Sequence, residues 1–136
     1  SGKIPGLYPW GKQWPPTKGA GNYADTECKT QYPNEKIIAD YTDGFPITSP
    51  VMSFPANALG IHDLGGSVWE WCEDWFHSDY TGAPADGSAW LSPAGSTRVI
   101  RGGGWSDYAA FCRSALRYNV DPTVAYDYSG LRLIQR

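Results

Sequence analysis

The chain has 136 residues, a formal net charge of −3, 15% aromatic residues and 18% charged residues. This length suits a single domain, and seven Trp together with this aromatic content exclude an intrinsically disordered chain. The acidic balance argues against a nucleic-acid partner, and no run of about 18 apolar residues predicts insertion into a membrane.

The N-terminal part of the chain is rich in turns. Sixteen Gly and eleven Pro predict short strands joined by many ordered loops. Residues 1–35 show no helical period, so they are predicted to form an ordered loop marked by Pro5-Gly6 and Pro15-Pro16. In residues 36–60, Pro and Gly repeatedly break short apolar runs.

The strand signals lie in the second half. The strongest covers residues 67–76, where the two-residue period puts Trp69 and Trp71 on one face and Glu70 on the other. Residues 77–97 are predicted to form another loop. Three more short strands are predicted at Arg98–Arg101, Arg113–Arg117 and Leu131–Ile134.

Catalytic motifs are scarce. Cys28, Cys72 and Cys112 have no zinc-binding spacing and fit reduced structural thiols, although one disulfide remains an alternative. Cys28 is expected in a loop, where it could be exposed. The two histidines, His62 and His77, have no paired metal-ligand spacing, and there is no Gly-x-Ser-x-Gly or phosphate-binding loop.

Seven segments form an ordered set along almost the whole chain. They are Tyr8-Pro-Trp-Gly11, Gly21-Asn-Tyr-Ala-Asp25, Asp43-Gly-Phe45, Ser49-Pro-Val51, Asn57-Ala-Leu-Gly-Ile-His-Asp-Leu-Gly-Gly-Ser-Val-Trp-Glu-Trp71, Arg98-Val-Ile-Arg-Gly-Gly-Gly-Trp105 and Gly130-Leu-Arg-Leu133. Together they resemble the formylglycine-generating enzyme (sulfatase-modifying factor) family. The resemblance implies an α+β, C-type lectin-like fold, rich in loops, with short antiparallel strands and little helix.

The resemblance also implies a domain organisation. Residues 1–136 match the C-terminal part of such a domain. The earlier part that the family usually has is expected on another polypeptide, or lost, or replaced. A missing N-terminal half is therefore one expected partner.

Two carboxylates flank a glycine-rich turn at residues 63–70. Asp63 and Glu70 supply charge, and exposed carbonyls of such a turn suit calcium, which takes six to eight oxygen ligands. The alternative is that these polar residues only cap turns. The resemblance implies structural calcium at two sites. One uses the Asp63 and Glu70 side chains with the carbonyls of Gly66 and Val68; the other uses the Asn22 and Asp43 side chains with the carbonyls of Tyr23 and Phe45.

The resemblance bears on catalysis through one substitution. The family's oxidase chemistry uses two cysteines five positions apart that bind copper(I), a metal suited to soft thiolates. The second cysteine matches Cys112, but the first matches Asp107. We therefore expect no copper, no catalytic residues and no oxidase activity, with Cys112 a buried apolar side chain.

The tail of the chain alternates fixed and changeable positions. Arg101-Gly-Gly-Gly-Trp105, Cys112-Arg-Ser-Ala115, Arg117, Pro122 and the closing Gly-Leu-Arg132 resemble the variable region of diversity-generating retroelement proteins. Those proteins diversify adenine-rich asparagine codons, which cannot yield Trp, Lys, Glu, Gln or Met, and residues 106–128 contain none of these five. The alternative is that the tyrosines here are ordinary strand residues that pack a core.

A ligand-binding surface is accordingly predicted within residues 106–128, on one exposed face. Tyr there offers a large amphipathic contact area at low entropic cost. The predicted contact residues are Ser106, Asp107, Tyr108, Phe111, Leu116, Tyr118, Asn119, Val120, Asp121, Thr123, Tyr126, Asp127 and Tyr128.

The sequence thus predicts a non-catalytic, receptor-type variable protein. Its ligand is an unknown protein or surface, and its location is the cell surface or a phage particle if this interpretation holds. Two alternatives remain. One is a family enzyme whose chemistry lies in the absent N-terminal part, and the other is a silent accessory domain.

Overall fold

The computed structural model describes residues 6–108 and 110–133. It is rich in loops, with little helix and one small sheet, as predicted. No described helix is long and apolar enough to cross a membrane. The elements are helix α1 (Thr26–Gln31) and strands β1 (Trp69–Trp75), β2 (Arg98–Arg101), β3 (Tyr118–Val120) and β4 (Ser129–Gly130), in the sheet order β3-β2-β1-β4.

Two of the predicted strands are confirmed. The 67–76 signal corresponds to β1, and β2 has the predicted bounds. They pair antiparallel, with Trp71 opposite Ile100, and the register shifts between Trp71 and Trp75. In β2 the adjacent Val99 and Ile100 are both buried, which fits a strand at the centre of the sheet.

The two remaining strand predictions are wrong in position. Residues 113–117 form turns, and the strand β3 follows them at Tyr118–Val120, antiparallel to β2. The closing strand β4 precedes the predicted Leu131–Ile134, whose last residue lies outside the described residues. It pairs parallel with β1 rather than antiparallel.

Helix α1 corrects the prediction of a loop over residues 1–35. Asp25 caps it, because its carboxylate accepts a hydrogen bond of 2.9 Å from the backbone N–H of Cys28. Six residues are too few to display a helical period. The helix also buries Cys28 completely, so this thiol is not exposed as expected.

The buried residues form two clusters. One comprises Tyr23, Ile38, Tyr41 and Cys112, and the other comprises Trp69, Ile100 and Val120. Backbone hydrogen bonds join them: Ala24 N–H donates to the Asp107 carbonyl (3.1 Å), and Ser67 N–H donates to the Asn22 carbonyl (2.8 Å). The segment around Asn22 thus packs directly on the glycine-rich turn before β1.

That packing requires glycine at position 66. Gly66 has φ +84°, and a Cβ there would lie 2.3 Å from the Asn22 carbonyl oxygen. An L side chain is therefore excluded both by its own backbone conformation and by its neighbour.

We predict that Gly66→Ala lowers the free energy of unfolding well beyond the effect of the left-handed conformation alone. Gly87→Ala is the matched control, because Gly87 has φ +82° with nothing within 4 Å of the added Cβ. The control should cost about 1–2 kcal/mol, and Gly66→Ala a further 1–3 kcal/mol or so for overpacking. Denaturant melts of both variants measure this. Equal losses would contradict the close approach at Asn22.

Candidate binding surface and metal sites

Residues 106–128, here called the tail surface, include β3 and the turns around it. The structure places five of the predicted contact residues in solvent, including Tyr118, which is 48% exposed. Seven more are half-buried. The exposed five are Tyr118, Asn119, Asp121, Thr123 and Asp127; the half-buried seven are Ser106, Asp107, Tyr108, Phe111, Leu116, Tyr126 and Tyr128.

The prediction that all thirteen side chains lie on an exposed face needs correction. Val120 is buried, at 5% exposure, and forms the core with Trp69 and Ile100. It lies on β3 opposite Arg98, so its side chain turns to the core while Asn119 points outward. Four half-buried residues pack against that same core, namely Phe111, Leu116, Tyr126 and Tyr128.

An array of aromatic rings underlies the surface. The Tyr118 ring centroid lies 5.8 Å from that of Trp69 and 6.3 Å from that of Phe111. Tyr108 meets Phe111 edge-on at 5.6 Å. Aromatic pairs at these distances stabilise one another beyond the area they bury. The exposed ring of Tyr118 is therefore held in place by buried neighbours.

Tyr126 and Tyr128 form a second aromatic pair, with ring centroids 5.2 Å apart. Burial raises the pKa of Tyr128, and the neighbouring hydroxyls of Tyr126 and Tyr118 and the carboxylates of Asp127 and Asp107 raise it further. These groups therefore lie close enough to interact electrostatically.

Asp107, predicted as a contact residue, is an internal hydrogen-bond acceptor. Its Oδ2 accepts from the Trp69 indole Nε1 at 2.6 Å and from the Gly104 backbone N–H at 2.7 Å. Burial raises the pKa of this carboxyl, and the two hydrogen bonds act in the opposite direction. The carboxylate is thus engaged with the core rather than directed to a ligand.

Cys112 lies in the core beside Asp107. It is 1% exposed, and its Sγ contacts the backbone carbonyls of Tyr108 (3.4 Å) and Asp107 (3.8 Å). Burial, and after it the Asp107 charge, raises the pKa of the thiol. The thiolate needed for a copper ligand or a nucleophile is therefore disfavoured at this position.

The four residues of the second predicted calcium site lie together in the fold. Asp43 accepts hydrogen bonds from the N–H groups of Tyr23 (2.9 Å) and Phe45 (3.0 Å), and the Asn22 amide lies 3.2 Å from Asp43 Oδ1 and 3.4 Å from the Phe45 carbonyl. Burial raises the pKa of Asp43 to about 6. Asn22 Oδ1 is buried with no hydrogen-bond partner. The side chain thus has one buried oxygen without a partner, while its nitrogen contacts a carboxylate and a carbonyl, which are oxygen groups of the kind that bind calcium.

The first predicted calcium site contains a competing cation. The Arg132 guanidinium donates to both carboxylate oxygens of Glu70 (2.6–3.0 Å) and to the Asp63 carbonyl (2.9 Å). The carbonyl of Gly66 accepts from the N–H of Val68. Asp63 Oδ1 is buried and unpaired. This site therefore offers calcium one free carboxylate oxygen, while Glu70 is already neutralised.

Sequence reasoning missed several neighbours of the tail surface. Lys36 lies far away in the sequence, yet its Nζ is 5.5 Å from the centre of the Tyr108 ring. Tyr32 packs on Trp105 with ring centroids 5.1 Å apart. Val124, which was not predicted as a contact, is 46% exposed. A mixed tyrosine and lysine pair carries no sequence signal, because its members come together only in the fold.

Comparison with known proteins supports the fold and the family. Residues 1–136 match the family model of the Sulfatase-modifying factor enzyme 1-like domain. The formylglycine-generating enzyme of Thermomonospora curvata is 30% identical over 131 residues, which are 92% of this chain and 41% of that protein. The inactive Cα-formylglycine-generating enzyme 2 of Bos taurus is 33% identical over 93% of this chain and 36% of its own length.

A serine/threonine-protein kinase pkn1 of Chlamydia caviae is 42% identical over 87 residues, which are 62% of this chain and 14% of the kinase. The chain thus spans well under half the length of these curated relatives.

Two solved structures share the fold. PvdO from Pseudomonas aeruginosa matches with a TM-score of 0.68 and 34% identity, over 92% of this chain and 42% of its own. Treponema denticola variable protein 1 matches with a TM-score of 0.53 and 26% identity, over 79% of this chain and 45% of its own.

We predict that Asp107→Ala destabilises the protein by about 1–3 kcal/mol, because the Trp69 indole and the Gly104 N–H lose a common acceptor. Asp127→Ala is the control, since Asp127 is an exposed carboxylate of the same tail surface and its loss should cost less than about 0.5 kcal/mol. Thermal melts of both variants test this. A neutral effect of Asp107→Ala would contradict the role of Asp107 as an internal hydrogen-bond acceptor.

Proposed function

We propose that this chain, which belongs to the Sulfatase-modifying factor enzyme 1-like family, is a non-catalytic domain that binds a ligand through its tail surface. The observation that carries the proposal is the placement of Asp107. The family resemblance matches Asp107 to the first cysteine of the family's copper pair, and this carboxylate accepts hydrogen bonds from the Trp69 indole and the Gly104 N–H at the base of the surface.

The chemistry at Asp107 and Cys112 argues against the family's oxidation. Copper(I) prefers soft thiolates, and this pair offers a single thiol whose pKa is raised by burial. The carboxylate partner is a hard oxygen ligand that already accepts two hydrogen bonds. An inactive relative also exists within the family.

The construction of the tail surface argues for binding. Exposed Tyr118, Asn119 and Thr123 stand on strand β3 and the turn after it, and the aromatic rings behind them are packed on the core. Rigid aromatic side chains beside adaptable polar ones are typical of recognition surfaces. The fold match to a protein named variable protein 1 agrees with a scaffold that tolerates changes here.

The family's enzymes support one alternative function. Thermomonospora curvata formylglycine-generating enzyme matches 92% of this chain, yet that match covers 41% of the enzyme. In that case the catalytic residues would lie in another part of a longer protein, and this chain would serve as a structural part of the domain.

We also propose structural calcium at the site of Asn22, Tyr23, Asp43 and Phe45. Its support is the buried, unpaired Oδ1 of Asn22, a side chain whose Nδ2 contacts the Asp43 carboxylate. Bound calcium would connect the segment around Asn22 to the loop around Asp43, 21 residues later, in a domain with few regular elements. At Asp63 and Glu70, calcium would have to share Glu70 with Arg132.

The first expected outcome concerns ligand recognition. In a screen of peptide and glycan arrays, a ligand of the wild-type chain should lose about tenfold or more in affinity on Tyr118→Ala, because a central aromatic anchor dominates such contacts. The melting free energy should change by less than about 1 kcal/mol. Leu59→Ala is the control, since Leu59 is 58% exposed and lies outside the tail surface. Ligands insensitive to Tyr118→Ala, or lost equally with Leu59→Ala, would count against the tail surface.

The second concerns calcium. Saturation at 100 times the dissociation constant stabilises a protein by about 2.7 kcal/mol, so a chelator should lower the melting temperature by several degrees. Asp43→Ala should remove this sensitivity, whereas Asp79→Ala, an exposed turn aspartate, should keep it. Coincident melting curves of the wild-type chain with and without chelator would refute structural calcium.

The third concerns catalysis. Incubated with copper(I), oxygen and a sulfatase-type cysteine peptide, the chain should form no formylglycine, because the soft ligand pair is incomplete. Mass spectrometry of the peptide is the measurement, with a known formylglycine-generating enzyme as the positive control. Formation of the aldehyde by this chain would overturn the non-catalytic proposal.

A further inference from the structure

The tail surface contains Arg113 and Arg117, but its C-terminal segment carries negative charge alone. From Tyr118 to Gly130 the sequence holds three Tyr and two Asp but no Lys, Arg or His. Asp121 and Asp127 are both exposed. This segment therefore combines electron-rich ring faces with negative charge that has no cation within the segment.

The arginines near this segment in the sequence are occupied elsewhere. The Arg117 guanidinium stacks on the Tyr80 ring at 4.1 Å, and Arg101 donates to the Tyr80 hydroxyl (3.1 Å) and the Leu116 carbonyl (3.3 Å). Arg132 is held by Glu70. None of these three guanidinium contacts is made with a carboxylate of the tail surface.

The two aspartates keep their charge available. Asp121 Oδ1 accepts from the N–H (2.8 Å) and hydroxyl (2.7 Å) of Thr123, and these hydrogen bonds lower its pKa, so it is ionised at neutral pH. Asp127 has no hydrogen bond or ion pair with any residue that the structure describes. Its neighbours in the sequence are the paired rings of Tyr126 and Tyr128.

A cation already binds a ring at the edge of this surface. The ammonium of Lys36 sits 5.5 Å from the centre of Tyr108, within the range of a cation–π contact. Tyr108 is in turn edge-on to Phe111, which contacts Tyr118. The same ring array continues toward Tyr118, and no lysine or arginine among the described residues lies over the Tyr118 ring.

We propose that the ligand of the tail surface presents cationic side chains, as a lysine- or arginine-rich peptide segment or protein face does. This deepens the proposed function and rests on it. The ring faces of Tyr118, Tyr126 and Tyr128 receive the cations, and Asp121 and Asp127 pair with them at the rim. A neutral carbohydrate would also stack on tyrosine, but it would leave both carboxylates without a counter-charge.

The test uses hexalysine as the probe, with hexaglutamate and a neutral glycan array beside it. Wild-type chain should bind hexalysine and not hexaglutamate, and the affinity should fall as salt rises, because exposed charges are screened beyond about 10 Å at 0.1 M. The double variant Asp121→Asn/Asp127→Asn should lose about tenfold in affinity, the effect expected for two charge contacts of modest strength each.

The control is Asp79→Asn/Asp86→Asn, which changes the net charge by the same amount. Asp79 and Asp86 form the same kind of turn as Asp121, each accepting from an N–H two residues later, but in the loop between β1 and β2. This control should bind hexalysine as the wild-type chain does.

Each result is decisive. No binding of hexalysine, or equal losses in the two double variants, would overturn the cationic ligand. A neutral glycan that binds and is lost on Tyr118→Ala, without sensitivity to salt or to the two aspartates, would replace it while leaving the ligand-binding function intact. If no probe of any class depended on Tyr118, the proposed function itself would fail.

Discussion

Asp107 connects three segments of the described fold through its hydrogen bonds. One oxygen accepts from the Trp69 indole in β1 and from the Gly104 N–H after β2, and the Asp107 carbonyl accepts from Ala24 N–H near α1. Because few regular elements fix these segments, the side-chain and backbone oxygens of one half-buried residue together link three of them. The Asp107 carboxylate therefore acts as an internal hydrogen-bond acceptor. Its donor Trp69 in turn contacts the ring of Tyr118.

Local sequence pattern was sufficient for the two central strands. The Trp69–Trp71 alternation located β1, and the short apolar run before Gly102 located β2. Local pattern failed for α1, where six residues are too short for a period, and for residues 113–117, which precede β3 instead of forming a strand. The side chains of Arg113 and Arg117 contact a turn carbonyl and the Tyr80 ring, respectively.

At the candidate sites, local sequence pattern also fails to predict contacts between residues that are far apart in the chain. Asn22 and Asp43 lie 21 residues apart, and only the family resemblance brought them into one predicted site, which the structure assembles. Glu70 and Arg132 are 62 residues apart, and their ion pair was not predicted. Val120 was misplaced because composition describes a segment, whereas exposure alternates residue by residue along β3.

The distribution of charge links fold to function. Two guanidinium groups find partners inside the protein, namely Arg132 on Glu70 and Arg117 on Tyr80. The exposed Asp121 and Asp127 receive no such partner from the described residues. Tyr108 has the ammonium of Lys36 over its ring, whereas no cation of the described residues lies over Tyr118. The unmatched carboxylates and rings are therefore better explained by a partner that carries the missing positive charge.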